Sequence, residues 1–438
     1  MRHAATAPAN DLPDPPDTDV TMPGMLKPSI TRWRPGAYLR ASWWMSSWLG
    51  LRALAQAGLV VALARTLGPT DYGAFVAVLA IASFFTPLAG MGVQAVVLRE
   101  GSRHPGDLPR LLWSAKRVWR IGVPVFGTVA CAIVLLTLRH HLGDSLGLRL
   151  AIVAMVFSEV ASSSLTEIVT RRAQALRRTH AYGALQAGLV LSRVAALGLF
   201  LASRDRSLQL WLILYAASSA VYASVVARNV RRDAAGPLPG GGPAALARDG
   251  VPFAFAAFAW RLQIEFNKPV LAMLGFATVG ILGVAQRVVD LAAIPLIAMQ
   301  DALWPRVFSR ASPPSMVLRI GLTIALLALV EGLLLYGLAP WLPRLFGSDF
   351  GAAAQVLRML AWLPLLQLAR GAGMIHLSAT GHSSRLILVY ALGAAFVVAS
   401  TTWLVAHQGL QGAIVALYAG EVFTIALQWL VYRSPRNV

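Results

Sequence analysis

Charged residues are scarce in this sequence. Of its 438 residues, 13% are charged and 57% are hydrophobic, and the mean hydropathy is +0.63. An ordinary soluble protein has about a quarter of its residues charged, because it needs polar surface around its cores. Hydrophobic stretches of about twenty residues recur along the chain, which is the length that crosses a bilayer. The composition excludes an ordinary soluble protein and predicts an all-α, polytopic membrane protein.

Cysteine and the usual catalytic patterns are also missing. The single cysteine, Cys131, lies in a hydrophobic stretch, which excludes an intrachain disulfide and a thiolate metal cluster. The sequence contains no phosphate-binding loop with its lysine, no HExxH pattern and no histidine cluster with metal-ligand spacing. We therefore predict no cofactor, no bound metal and no enzymatic activity.

Acidic residues are half as frequent as basic ones, with 19 Asp and Glu against 38 Lys and Arg, and the net charge is +19. In a soluble protein this excess would suggest a nucleic-acid partner. Here the basic residues form short clusters between alternate hydrophobic stretches, as at 99–120 and 171–178. That arrangement is the positive-inside pattern of membrane proteins. It predicts that nucleic acid is not a partner and that both termini are cytoplasmic.

The hydrophobic stretches predict about twelve transmembrane helices in two six-helix lobes. Residues 42–229 hold spans one to six, and residues 251–432 hold spans seven to twelve. A Gly/Pro-rich cytoplasmic linker at 230–250 separates the lobes. Residues 1–41 are predicted to form a disordered cytoplasmic tail, and residues 433–438 a short second one.

A short glycine motif occurs once in each half. Gly68 is followed by Gly73, and Gly275 is followed by Gly280, with the two copies about two hundred residues apart. This spacing indicates a parallel internal repeat, although leucine and glycine also coincide by chance in hydrophobic sequence. In a transporter built from such repeats, the substrate is expected at the midplane between the two halves.

Ionisable residues inside the predicted spans are not explained by topology, because charge in hydrocarbon is costly and normally faces protein or water. On span seven, Arg261, Glu265 and Lys268 are four and three residues apart and share one helix face. On span eight, Arg287 and Asp290 are three residues apart. These faces either border an aqueous cavity or neutralise one another as ion pairs that fix helix packing.

Cations slightly outnumber acids within the spans, which favours an anionic substrate, because guanidinium binds phosphate in a planar, bidentate manner. Proline and glycine interrupt several spans, including Pro87 in span two and Pro295 in span eight. Such residues predict bends that line a cavity and gate it, or bends that serve packing alone.

Several short motifs resemble the bacterial polysaccharide-transporter family. LARTLGPTDYGAF begins at Leu63 and resembles the start of that family. Further likeness lies in AQRVVD at 285–290, WPR at 304–306, LFGSDF at 345–350 and GLQGA at 409–413. The family is part of the multidrug/oligosaccharidyl-lipid/polysaccharide exporter (MOP) superfamily, together with the multidrug and toxin extruders (MATE) and the lipid II flippases. The resemblance covers about 45–430.

The resemblance implies a MATE-like fold and a flippase of the bacterial inner membrane. Such a flippase moves undecaprenyl-diphosphate-linked oligosaccharide for O-antigen of lipopolysaccharide, capsule or exopolysaccharide, by alternating access coupled to a H⁺ or Na⁺ gradient. Its other partners would be membrane lipids and polysaccharide assembly enzymes. The expected substrate-binding residues are Arg52, Arg193, Arg261, Lys268 and Arg287. The expected cation-coupling residues are Glu265, Asp290 and Glu331.

Two other functions stay open at this point. A drug or cation antiporter of the related extruder branch would leave the surface glycan intact when it is lost. A membrane glycan polymerase or ligase normally needs a large periplasmic loop with catalytic Arg or His, whereas every predicted external loop here is short.

Overall fold

The computed structural model describes residues 35–139, 145–231, 242–301, 314–379 and 383–433. Within these ranges the secondary structure consists of fifteen α-helices and three short 3₁₀ helices, and no β-strand occurs. The 3₁₀ helices are Pro105–Asp107, Ala339–Trp341 and Ser348–Phe350.

The first half of the chain contains six helices. They are α1 (Pro35–Ala89), α2 (Val93–Arg103), α3 (Leu108–Thr137), α4 (Leu146–Ala175), α5 (Thr179–Ala202) and α6 (Leu208–Arg231). The centre of this half is α4, which packs against α2, α3, α5 and α6. Helix α1 is interrupted at Gly68, and the left-handed Met91 and Gly92 separate α1 from α2. This second break falls where Pro87 and the nearby glycines predict a bend.

The second half contains shorter and more broken helices. They are α7 (Pro243–Glu265), α8 (Asn267–Ala272), α9 (Phe276–Ala292), α10 (Ile294–Asp301), α11 (Pro314–Leu338), α12 (Leu342–Phe346), α13 (Gly351–Leu360), α14 (Leu363–Ala379) and α15 (Ser383–Arg433). Helix α15 packs against α7, α8 and α14, and it is interrupted at Gly409. The break between α9 and α10 adjoins Pro295, where the sequence predicts a bend.

The helices confirm a multi-pass, all-α membrane protein. Seven helical stretches of the described chain are long and apolar enough to cross a membrane, and α13 with α14 adds a pair bent by 44°. Two of the stretches, Ser47–Ala89 and Arg385–Arg433, are 43 and 49 residues long, or about two spans each, and each contains one non-helical glycine. The more polar α7–α8 and α9–α10 correspond to the remaining predicted spans.

Some predicted boundaries differ from the helix ends. Helix α1 begins at Pro35, inside the predicted tail, because proline is well suited to the first position of a helix. Helix α7 begins at Pro243, inside the predicted linker. Residues 1–34, 232–241 and 434–438, and the WPR motif at 304–306, lie outside the described residues.

Glycines of the repeated motif bring the two halves into direct backbone contact. A Cβ atom on Gly73 would lie 1.8 Å from the carbonyl oxygen of Phe276. Reciprocally, a Cβ on Gly280 would lie 2.1 Å from the carbonyl oxygen of Pro69. Since real Cβ atoms do not approach so closely, only glycine fits both positions. We name the Gly73–Gly280 region the outer glycine contact, after its predicted periplasmic side.

A second reciprocal contact joins the halves near the basic loops. A Cβ on Gly92 would lie 2.0 Å from the carbonyl oxygen of Gly250, and a Cβ on Gly250 would lie 2.2 Å from that of Met91. We name this region the inner glycine contact, after its predicted cytoplasmic side. The halves therefore meet backbone to backbone at two separate levels.

Candidate functional site

A cavity of about 340 Å³ lies between the two halves, bordered by α1, α4, α5 and α6 on one side and by α7, α8 and α9 on the other. The charged side chains that line it are Arg52, Glu159, Glu167, Arg193, Arg261, Glu265, Lys268 and Arg287. Cations thus outnumber acids by five to three. Charges of both signs are gathered here from six helices, as expected for a water-filled site within a membrane protein.

Arg193 and Glu159 form the most completely bonded pair in the cavity. Arg193 Nη2 donates to Glu159 Oε2, and both side chains are largely buried, at 13% and 8% exposed. Tyr215 Oη also donates to Glu159 Oε2 at 2.6 Å, and Ser163 Oγ donates to Oε1 at 2.7 Å. The guanidinium lies 4.5 Å from the centre of the Tyr215 ring. These bonds satisfy both charges and tie α4, α5 and α6 together.

Lys268 and Glu265 form a second buried pair at the junction of α7 and α8. Lys268 Nζ donates to Glu265 Oε2, and the lysine side chain is only 2% exposed. Asn267 lies between these two residues in the sequence, and its buried side-chain amide has no hydrogen-bond partner among the described residues. A fully buried lysine needs an acidic partner, so this pair fixes the break between the two helices.

Arg287 is paired more loosely. Its Nη1 lies 3.8 Å from Asp290 Oδ2, one turn further along α9, and about a third of each side chain is exposed. Arg287 lines the cavity, whereas Asp290 is not among its lining residues. At this distance and exposure the pair is weak and can be exchanged for another anion.

Two arginines in the cavity form no ion pair among the described residues, although the charge of Arg261 acts on Glu159, Glu167 and Glu265 at longer range. Arg52 Nη1 donates to Gln186 Oε1 at 2.9 Å, and Arg261 makes neither a hydrogen bond nor an ion pair there. Each guanidinium has five N–H donors, so both retain several that can bind an anion. Glu167 lines the same cavity, also without an ion pair to a described residue.

The predicted substrate-binding residues all border this one cavity. They are Arg52, Arg193, Arg261, Lys268 and Arg287. Of the three predicted coupling acids, Glu265 lines the cavity and Asp290 lies beside it. Glu331 is on α11, outside the lining, and its buried Oε1 has no hydrogen-bond partner among the described residues. The roles of these eight residues stay predictions.

Sequence reasoning did not include the acids of α4 in the site. Glu159, Ser163 and Glu167 are each four residues apart, which places them on one helix face, and all three line the cavity. That spacing is a signal that could have identified them. Tyr215 carries no comparable signal, because a tyrosine in a hydrophobic span is ordinary core.

A third buried ion pair lies in the second half, apart from the cavity lining. Arg370 Nε is 2.9 Å from Glu421 Oε2, and the arginine side chain is 4% exposed. Arg370 Nη1 donates to Gln263 Oε1 at 3.2 Å, and its guanidinium lies 4.1 Å from the Trp260 ring centre. This network joins α7, α14 and α15. Nowhere in the described ranges do three or more His, Cys, Asp or Glu residues converge to hold a metal.

Comparisons with known proteins agree with this architecture. The model of a family described as "Polysaccharide biosynthesis protein" matches residues 39–311. The lipid II flippase MurJ in an inward closed conformation is similar with a TM-score of 0.71 at 10% identity, over 89% of this chain and 87% of MurJ. The Vibrio cholerae MATE transporter VcmN is similar with a TM-score of 0.60 at 18% identity, over 91% and 97%.

A third solved structure, a MOP superfamily transporter from Pyrococcus furiosus, has a TM-score of 0.58 at 11% identity, over 90% of this chain and 94% of its own. It is described as having a binding pocket of reverse polarity. No curated protein sequence matches the chain. At these identities the likeness establishes the fold of the MOP superfamily and nothing about the substrate.

Proposed function

The chain belongs to the polysaccharide biosynthesis protein family, and on this premise we propose that it is a flippase for lipid-linked oligosaccharides. Its substrate would be an undecaprenyl-diphosphate-linked repeat unit, moved across the bacterial inner membrane for O-antigen of lipopolysaccharide, capsule or exopolysaccharide. We propose no catalytic activity for the chain, and no nucleic-acid partner.

The observation that carries this proposal is the excess of cations around the cavity, with Arg52 and Arg261 forming no ion pair among the described residues. A diphosphate carries a charge of about −2 or more near neutral pH, by analogy with other phosphate groups. Paired guanidinium groups suit it, because they stay charged and bind phosphate oxygens bidentately. A drug-cation antiporter would be expected to have an acidic excess instead.

In the mechanism we propose, the diphosphate enters the cavity and binds Arg52 and Arg261. Arg287 turns from Asp290 towards the substrate, because this ion pair is the weakest of those at the cavity. Lys268 and Arg193 stay paired with their acids and hold the walls of the cavity in place.

Translocation then follows from opposite movements of the two glycine contacts. The inner contact is open while the substrate enters, and the outer contact is open while it leaves, as alternating access requires. The lobes at 42–229 and 251–432 would rock about the cavity. Only the head group crosses through water, and the lipid tail stays in the bilayer. Protonation or Na⁺ binding at Glu265, Asp290 or Glu331 would couple the cycle to an ion gradient.

Deletion of the gene tests the proposal when two quantities are measured together: surface polysaccharide and undecaprenyl-diphosphate-linked oligosaccharide in the inner membrane. We expect lost polymer, with repeat units accumulating on the cytoplasmic face. Normal polymer with new sensitivity to cationic dyes would instead indicate a drug antiporter. Lost polymer with single units on the periplasmic face would indicate a polymerase.

A further inference from the structure

A second cavity of about 560 Å³ adjoins the first, between α2 and α4 of the first half and α7 and α15 of the second. We name it the side groove. Its lining includes Leu98, Arg99, Arg171, Phe253, Trp260 and Tyr390. The groove is therefore chiefly apolar, with two arginines as its only charged lining residues among those that the structure describes.

Both arginines of the side groove keep donors for a further ligand. Arg99 Nε donates to Glu100 Oε1 at 2.7 Å, and Arg171 Nη1 donates to Gln174 Oε1 at 2.7 Å. Each bond uses one of five guanidinium N–H groups. Arg99 is also 44% exposed, so an incoming anion can reach it.

The side groove and the central cavity share walls. On α7, Trp260 lines the groove and the next residue, Arg261, lines the cavity. On α4, Arg171 lines the groove, and Glu167, one turn earlier, lines the cavity. Phe253 lies about 10 Å along α7 from Trp260, at a rise of roughly 1.5 Å per residue. A ligand held in the groove is thus one helical turn from the substrate site.

The position of the arginines indicates the level of the groove. Arg99 and Arg171 belong to the basic clusters that the positive-inside pattern assigns to the cytoplasmic side. The phosphates of lipids in the cytoplasmic leaflet lie at that level. The apolar wall cannot select a lipid by its tail, because lipid tails are as apolar as the surrounding bilayer. Selection must therefore come from the charge of the head group.

We propose that the side groove binds the diphosphate end of the polyprenyl carrier before its head group passes into the central cavity. This proposal rests on the proposed flippase function. Arg99 and Arg171 together complement a diphosphate, with a charge of about −2 or more. An ordinary phospholipid has one phosphate and engages the two guanidinium groups less completely. Phe253 and Trp260 pack against the first isoprenoid units.

Photo-crosslinking of the full-length protein tests where the carrier binds. A photoreactive amino acid replaces Ala256, which lines the groove, and in a control replaces Phe255, the adjacent residue, which is 54% exposed and outside the lining. Vesicles contain bacterial phospholipid with undecaprenyl-diphosphate-linked oligosaccharide. We expect mass spectrometry to find the carrier crosslinked to position 256 about tenfold more often than to position 255. That ratio corresponds to a difference in binding free energy near 1.4 kcal/mol. If only phospholipid, and no carrier, is crosslinked at both positions, the proposal is overturned.

Transport in the same vesicles separates this proposal from the flippase function. We expect R99A with R171A to raise the half-saturating carrier concentration by about tenfold, with a maximal rate within about twofold of wild type. If the double variant keeps the wild-type half-saturating concentration and still crosslinks the carrier at position 256 as often as wild type, the groove site is overturned and the flippase function is not. A wild-type protein that moves no carrier would overturn the flippase itself. Thermal unfolding of the double variant shows that it is folded.

Discussion

At the scale of single residues, the cavity cations differ in how fully they are neutralised. Arg193 and Lys268 are buried beside acids, and Arg287 is loosely paired. Arg261 makes no hydrogen bond or ion pair in the described chain and interacts with Glu167 only at longer range. A buried charge needs a partner for stability, whereas a solvated cavity tolerates a free one until the ligand arrives. Pairing therefore separates residues that hold the fold from residues available to an anion.

Arg261→Ala is expected to reduce transport without loss of folded protein, because Arg261 is in no ion pair or hydrogen bond of the described chain and acts on Glu167 only at longer range. A hydrogen bond to a charged group contributes about 1.5–3 kcal/mol, so we expect a decrease of about tenfold to a hundredfold. The measurement is carrier translocation in vesicles, with protein amount quantified by immunoblot. Arg344→Ala is the control, since that exposed arginine packs over Trp341, away from the cavity. Disappearance of Arg261→Ala protein from the membrane would instead make Arg261 a packing residue.

Arg193→Ala is expected to destabilise the fold, because it leaves Glu159 charged and buried between α4 and α6. Breaking a buried pair in this way costs about 3–5 kcal/mol. Thermal unfolding in detergent should show a clear decrease in melting temperature, and Arg193→Leu combined with Glu159→Leu should recover most of it. The matched control is Arg110→Ala, which removes an exposed pair with Asp107 and should cost about 1 kcal/mol or less. An equal decrease in melting temperature for Arg193→Ala and Arg110→Ala would contradict a stabilising role for the buried Arg193–Glu159 pair.

Polar residues within the hydrophobic spans predict much of the site. Charge in such a span has few explanations, and Arg52, Arg193 and Arg261, which the family resemblance implied as substrate-binding residues, all line one cavity. Their partners could not be assigned in the same way. The spacing of residues on a helix defines a shared face, but the helix that this face meets depends on tertiary packing. The pairing of Arg193 with Glu159 is therefore visible only in the folded chain.

At the scale of helices, the longest elements depend on single glycines. Gly68 has φ 72° and ψ 175°, and Gly409 has φ 56° and ψ −128°. Conformations with φ this positive and ψ this extended are adopted almost only by glycine. The first break falls in a Leu-Gly-Pro sequence at 67–69, where Pro69 is well placed to begin the next helical segment. The break between α7 and α8 carries a weaker signal, Pro269, which cannot donate a backbone hydrogen bond.

Gly68→Ala is expected to destabilise the protein through backbone strain alone, because a Cβ there would meet nothing within 4 Å. A non-glycine residue in this conformation costs about 1–3 kcal/mol. Gly58→Ala is the control: that residue also has open space around it, but its backbone is helical, so alanine should be neutral or slightly stabilising. Thermal unfolding of both variants gives the comparison. Equal melting temperatures would mean that the break in α1 relaxes at no cost.

At the scale of the whole molecule, the central cavity lies between halves that contact each other at two levels. The repeated glycine motif forms the outer contact with its own second copy, and Gly92 with Gly250 forms the inner one. Both contacts are made by backbone atoms, so no side-chain rotation can relieve an added methyl group. A ligand-driven change between inward and outward states requires that each contact can separate while the other persists.

Two alanine substitutions should therefore shift the same equilibrium in opposite directions. Gly280→Ala would bring a Cβ to 2.1 Å from a backbone oxygen of the outer contact, and Gly250→Ala would bring one to 2.2 Å at the inner contact. Neither glycine has a positive φ, so the clash is the only strain. A destabilisation of about 1–2 kcal/mol of one closed contact corresponds to about a 5–30-fold change in the ratio of the two states.

A cysteine that replaces Ser83, which lines the cavity, reports these states through a membrane-impermeant thiol reagent, and Cys131 is buried. Gly280→Ala should increase labelling from the periplasmic side, whereas Gly250→Ala should increase it from the cytoplasmic side. Gly198→Ala, where a Cβ would meet nothing within 4 Å, should leave both rates unchanged. If Gly280→Ala and Gly250→Ala both fold and are both labelled faster from the same side, the two glycine contacts do not close opposite ends of the cavity. Opposite shifts would tie alternating access to four glycines, which bring the halves together because they lack side chains.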